Sequence, residues 1–297
     1  MYEAMRTALN GISGVHITPY DSAGEVDQSL LHKVVDRIAS AGIHNIVTGG
    51  NTGEFYAQDL DEVVLGYQVV VEANAGRAKV TAGVGRSGRE AIRLAKAAHE
   101  AGADALMIHQ PPDPFCSPRL VIDYIQQIAD STDLPIIAYA RSPGLEPGHF
   151  VRLAEIENVV AVKYAVPDPI RLGECIRATQ GSPLQWLCGL AESWALPFYA
   201  CGARGFTSGL VNVAPELSLA IHAALEREAM SEARVLVDRI AEFEKMRTFE
   251  ANGANVTVVK EAMQIQGWPV GPTRAPGVVG LSETQREALK EIMKGWE

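Results

Sequence analysis

Cysteine is scarce in this chain and never paired along it. Cys116, Cys175, Cys188 and Cys201 form no CxxC motif, so neither a disulfide framework nor a thiolate metal site is indicated. A chain of 297 residues can bury a large core without covalent staples, and free thiols in a reducing cytoplasm are expected. Basic charge is also in deficit: 26 Lys and Arg face 36 Asp and Glu, giving a formal charge of -10. That balance argues against a nucleic-acid or anionic-membrane partner, and it means that an anionic ligand would need a local cation. Long apolar runs are missing as well. No uncharged stretch is long enough to cross a bilayer, and Met1 to Asn10 lacks the apolar core of a signal peptide, so a cytoplasmic location is expected. The seven histidines show neither HxxxH nor HExxH spacing, and no metal site is expected.

What the chain does have is a repeated unit: a short β-branched run, a polar or Gly-rich turn, then an amphipathic helix that often stops at Gly. Eight candidate strands lie near Ile12-Thr18, His44-Thr48, Lys79-Gly83, Ala105-His109, Pro135-Tyr139, Val159-Lys163, Gln185-Cys188 and Gly205-Ser208. Between the first two, Leu30, Leu31, Val34, Val35 and Ile38 make one apolar face, with Gly42 as the stop. Ser87-Gly88-Arg89-Glu90 fits a capping box, and Ser117-Pro118 fits an N-cap followed by proline at the first helical position. Ala41-Gly42, Ala101-Gly102 and Cys201-Gly202, each leading into a strand, echo one βα module. Eight such units in series favour an α/β fold of the closed (β/α)8 TIM-barrel type over an open doubly wound sheet. The barrel is expected over 1-228 and a C-terminal helical domain over 229-297. In that appendage Ser231-Phe249 and Gly253-Gln264 read as helices and Gly267-Gly280 as a connector. A last helix starts at the capping box Ser282-Glu283-Thr284-Gln285 and stops at Gly295.

In such a barrel the strand ends face one mouth, which makes the residues there the candidates for chemistry. Lys163 closes the apolar run Val159-Val160-Ala161-Val162 and is the sole charge between Asn158 and Asp168. Burial disfavours an ammonium, lowers the lysine pKa and makes the amine nucleophilic, so Lys163 is a Schiff-base candidate. A lone strand-end lysine can equally snorkel to solvent, and the company it keeps must decide. Gly49-Gly50-Asn51-Thr52-Gly53-Glu54 can gather backbone N–H groups and a hydroxyl around a carboxylate, or serve as a flexible turn. Tyr139 ends the fifth strand, where a phenol can relay protons, and Arg141 offers the positive charge that an acid would need. His109, ending the fourth strand, is the one histidine expected near the pocket. Gly83-Val84-Gly85-Arg86-Ser87-Gly88 is formally GxGxxG, but no acidic residue ends a following strand to hold a ribose, and its glycines are expected to serve a tight βα turn.

Taken in order and spacing, Gly50-Asn51-Thr52-Gly53-Glu54, Tyr139, Val162-Lys163, Cys188-Gly189 and Gly202-Ala203-Arg204-Gly205-Phe206 through Asn212-Val213 resemble the dihydrodipicolinate synthase/N-acetylneuraminate lyase family over nearly the whole chain. The resemblance implies a class I aldolase-type barrel without cofactor, in which Lys163 forms a covalent imine with pyruvate or another 2-keto acid. It further implies that Tyr139 relays protons, that Thr52 with Gly50 and Asn51 binds the substrate carboxylate, and that the protein is a homodimer or homotetramer. Two departures are plain. Asn51 stands where true dihydrodipicolinate synthases carry threonine, and Gln110-Pro111-Pro112-Asp113 stands where they carry a second relay tyrosine. Arg141, two residues beyond Tyr139, is placed more as in the ketodeoxyglucarate dehydratases of the same family, and Thr207 and Ser208 add hydroxyls for a polyhydroxylated substrate. A Schiff-base lyase acting on a ketodeoxy sugar acid, by dehydration or aldol chemistry, is therefore the leading expectation. The alternatives are a dihydrodipicolinate synthase that joins pyruvate to aspartate semialdehyde and, from another class, a non-catalytic barrel that binds a keto acid.

Overall fold

The computed structural model describes residues 2–296. A short helix, α1 (Glu3–Leu9), precedes eight alternations of strand and helix: β1 (Ile12–Val15), α2 (Gln28–Ser40), β2 (Asn45–Thr48), α3 (Leu60–Asn74), β3 (Lys79–Val84), α4 (Gly88–Ala101), β4 (Ala105–His109) and α5 (Pro118–Ala129). The series continues with β5 (Ile136–Ala140), α6 (Pro147–Ala154), β6 (Val159–Tyr164), α7 (Pro169–Ala178), β7 (Gln185–Cys188), α8 (Ala195–Ala200), β8 (Phe206–Ser208) and α9 (Pro215–Glu226). Three more helices follow: α10 (Met230–Arg247), α11 (Asn255–Ile265) and α12 (Glu283–Lys294). The strands pair in parallel, in chain order, and β8 closes on β1, which makes the eight-stranded TIM barrel.

The expected strands are present within a few residues of their bounds, the largest difference being β1, which ends at Val15 rather than Thr18. Its continuation is drawn away from the sheet by one side chain: Asn212 accepts from the Ile17 N–H at 3.0 Å and donates to the Val15 carbonyl at 2.9 Å. Gly42, Gly102 and Gly202, the three echoed stops, all take the left-handed conformation that ends a helix. The capping boxes at Ser87 and Ser282 form, whereas Ser117 precedes Pro118 without a side-chain cap bond and Gly295 ends α12 in a right-handed conformation. Among the described residues, no helix is long and apolar enough to cross a membrane.

Two apolar clusters hold the barrel. The larger lies between the strands and the outer helices and runs on through Ile240, Phe243, Val258 and Met263 of the C-terminal helices. The smaller fills the barrel interior with Val15, Val47, Ala105, Met107, Ile137, Val160, Ala161 and Leu187. Met5 and Leu9 of α1, a helix the sequence pattern did not announce, join this inner cluster. Between the apolar layers the interior carries a satisfied polar ladder, Thr81 donating to Asn45 at 2.9 Å and Asn45 to Ser13 at 3.0 Å.

Candidate active site

Strand register builds the centre of the site. Tyr139 is paired with His109 on one side and Lys163 on the other, which sets three strand-end residues side by side on β4, β5 and β6. Lys163 is only 4% exposed; its Nζ lies 4.0 Å from the centroid of the Tyr139 ring and 3.9 Å from Met107 Sδ. Burial in this apolar seat, with the Arg141 guanidinium adding like-charge repulsion, pulls the amine down to about 7. A large fraction of Lys163 is then an uncharged nucleophile at neutral pH. Tyr139 is buried too, and burial raises its phenol above the ordinary value, so it stands protonated as a donor. Asn51 donates to the Tyr139 oxygen at 3.4 Å, while its own carbonyl oxygen is buried without a hydrogen-bond partner among the described residues.

Above these groups opens a cavity of about 1030 Å³. Asn51, Thr52, Tyr139, Arg141, Lys163, Thr207 and Ser208 all line it, so seven of the nine candidate residues meet at one mouth. The other two stand behind the wall. Gly50 is packed so closely that a Cβ would lie 2.5 Å from a methyl of Val15. His109 stacks on Phe55 at 4.4 Å with its Nε2 2.9 Å from the Gly49 carbonyl, and burial lowers its pKa to about 3, which keeps the imidazole neutral. Ser208 reaches the cavity, but its hydroxyl is committed to the buried Glu192 carboxylate, as is that of Ser218 at 2.6 Å. Arg141 has no carboxylate partner among the described residues; Gln110 fixes its backbone by accepting from the Arg141 and Ser142 N–H groups, both at 2.9 Å. The GxGxxG turn serves the loop after β2. Gly83 meets it backbone to backbone, where a Cβ would lie 2.1 Å from the Gly49 carbonyl oxygen, and Arg86 donates to the carbonyls of Phe55 and Gln58.

The remaining wall comes from the C-terminal helices and their connector, through Glu244, Arg247, Asn255, Thr273 and Arg274. Arg247 is buried, holding Glu244 at 2.7 Å and Asn255 at 3.0 Å. Lys260 of α11 makes an ion pair with Glu54 at 2.5 Å, and the Arg274 N–H donates to the other Glu54 oxygen at 2.7 Å. Glu54 sits at a left-handed φ of 64° at the end of the candidate carboxylate loop, so this anchor fixes the loop where its backbone is least relaxed. Burial opposes charge on both partners, raising Glu54 and lowering Lys260, and their mutual attraction works against it. Lys260→Met leaves the Glu54 carboxylate buried without its cation, and a loss of about 3–5 kcal/mol is expected in a denaturant titration. Addition of Glu54→Gln to Lys260→Met should recover part of the loss, because no orphan charge remains.

These geometric findings are matched by likeness to known proteins. A sequence model of the Dihydrodipicolinate synthetase family matches residues 8–295. A 4-hydroxy-tetrahydrodipicolinate synthase of Corynebacterium aurimucosum is 31% identical over 286 residues, covering 94% of this chain and 91% of that protein. A probable 5-dehydro-4-deoxyglucarate dehydratase of Xanthomonas campestris is 29% identical over 290 residues, covering 96% and 94%. Among solved structures, a dihydrodipicolinate synthase from Oceanobacillus iheyensis superposes with a TM-score of 0.96 at 38% identity, covering 100% of this chain and 99% of that one.

Proposed function

This chain belongs to the dihydrodipicolinate synthetase family and is a lyase of that family, and we propose that it works through an imine on Lys163 with a ketodeoxy sugar acid as substrate. The observation that carries the reading is the buried Lys163 amine, held near neutrality over the Tyr139 ring at the floor of the cavity. The amine attacks the keto carbon, Tyr139 gives a proton to the departing hydroxyl, and the imine takes up the electrons of the adjacent carbanion. A sugar acid accounts for what surrounds that centre. Arg141, which has no carboxylate partner among the described residues, suits a carboxylate, and the Asn51 carbonyl oxygen, unpartnered among the same residues, suits a hydroxyl donor. The polar wall of Glu244, Arg247, Asn255 and Thr273 suits further hydroxyls, and the cavity is larger than pyruvate alone requires.

A panel of 2-keto-3-deoxy and 5-keto-4-deoxy sugar acids, assayed for pyruvate release and for dehydration products, tests the substrate class. Turnover of at least one member with little condensation of pyruvate and aspartate semialdehyde is the expected result. Arg141→Ala should raise KM by roughly 10- to 100-fold with kcat little changed, the effect of losing a charged hydrogen bond of about 1.5–3 kcal/mol made equally in ground and transition states. A second reading, synthesis from pyruvate and aspartate semialdehyde, draws support from the dihydrodipicolinate synthase name of the solved structure described above. Condensation at kcat/KM of about 10⁴ M⁻¹s⁻¹ or more would establish it over the first.

A further inference from the structure

Tyr139 must lose a proton and regain it in every cycle, yet its buried surroundings offer few routes. Asn51 is an amide that donates to the phenol oxygen and cannot accept a proton and pass it on. The guanidinium of Arg141 stays protonated. His109, packed against the Tyr139 ring at 5.6 Å, uses one nitrogen on the Gly49 carbonyl, and its other nitrogen is buried without a partner among the described residues. Gln110 is bonded to the Arg141 and Ser142 backbone.

Among the hydroxyl groups that line the cavity, that of Tyr56 belongs to a residue far more open to solvent, at 40% exposed, than Thr52 at 8% or Thr207 at 6%. Tyr56 follows the Gly50-Glu54 segment, lines the same cavity, and packs edge-on against Phe55 at 5.0 Å and His109 at 5.5 Å. Two phenol rings thus flank one imidazole. Tyr56 is 40% exposed, and its hydroxyl has no hydrogen-bond partner among the described residues. The electrostatic influence of both Arg141 and Tyr139 reaches it, and burial pushes its phenol up to about 12, so it carries its proton at neutral pH.

We propose that Tyr56 is the solvent-side proton carrier of this site, returning to Tyr139 the proton that imine chemistry removes. The inference rests on the imine reading above. In collapse of the carbinolamine, the nitrogen lone pair forms the C=N bond, the C–O bond breaks, and the hydroxyl leaves as water with the Tyr139 proton. The Tyr139 phenolate is then reprotonated from Tyr56, directly or through one water, and the Tyr56 phenolate recovers a proton from bulk solvent.

Pyruvate in D2O serves as the probe, because exchange of its methyl protons through imine and enamine reports proton traffic without a second substrate. Tyr56→Phe is expected to slow exchange by about tenfold or more, below the full loss of a general acid–base group. The equilibrium yield of borohydride-trapped adduct and the melting temperature should stay as in the unaltered protein. Exchange in Tyr56→Phe within about twofold of the unaltered protein would overturn the assignment. Parallel loss of trapping, exchange and thermal stability in Tyr56→Phe would show a structural role and overturn it as well. Absence of both exchange and trapping in the unaltered protein would refute the imine reading itself, and this proposal with it.

Discussion

Borohydride added to the protein together with pyruvate is expected to leave one stable secondary amine, on Lys163, visible by intact mass and located by peptide mapping. The expectation follows from an amine that burial holds near pH 7 rather than near 10.5. Only the uncharged amine attacks a carbonyl, so the initial trapping rate should fall about tenfold per pH unit below 7 and level off above it. A lysine of ordinary pKa would keep gaining rate up to about pH 10. Lys163→Met should abolish the adduct and lower turnover by on the order of 10⁶-fold, the scale seen when a covalent nucleophile is removed. An adduct on another lysine, or no adduct with any short 2-keto acid, would refute the covalent mechanism and restore the keto-acid-binding barrel as a reading.

The second large effect is expected at Tyr139. Tyr139→Phe keeps the ring under Lys163 Nζ and removes only the hydroxyl, so packing in the barrel interior is preserved. Turnover should drop by roughly 10²–10⁴-fold, the contribution of a positioned acid–base group, while the melting temperature changes little. Activity per folded molecule is the deciding quantity: if it is unchanged while stability falls, Tyr139 is a packing residue and the proton role passes to another group.

Much of this molecule could be read along the chain because its signals are local. β-branched runs closed by Gly stops recur with each βα unit, and the strand ends place Tyr139 and Lys163 at one mouth by topology alone. Position at a strand end gives height in the barrel, not direction: His109, expected near the pocket, lies beside the Tyr139 ring but turns its Nε2 to the Gly49 carbonyl, and the backbone of Gly50 packs against Val15. Lys260 and Arg247 were hidden for a different reason. A charged residue on an amphipathic helix ordinarily faces water, and only the packing of α11 against the loop that holds Glu54, and of α10 against the start of α11 at Asn255, gives these two their buried partners. Tyr56 had a local signal, its place beside the Gly-rich segment, but that segment reads as a carboxylate turn and gives no hint of a phenol at its edge. Helix α1 had almost none, since seven residues with two buried apolar side chains make too short a pattern.

The anchor between Glu54 and the chain's last quarter also sets an order of events in synthesis. Glu54 leaves the ribosome before Lys260 and Arg274, which follow it by more than two hundred residues, the latter by 220 positions. Strand pairing and the inner apolar cluster draw on residues made before α10, so a barrel core can begin to form on the nascent chain while the Gly50–Glu54 loop still lacks both clamps. The Gly50–Glu54 loop therefore takes its anchored form only once α11 and the connector beyond it have been made. A nascent barrel that met a keto acid earlier would hold Lys163 but not the ordered loop above it.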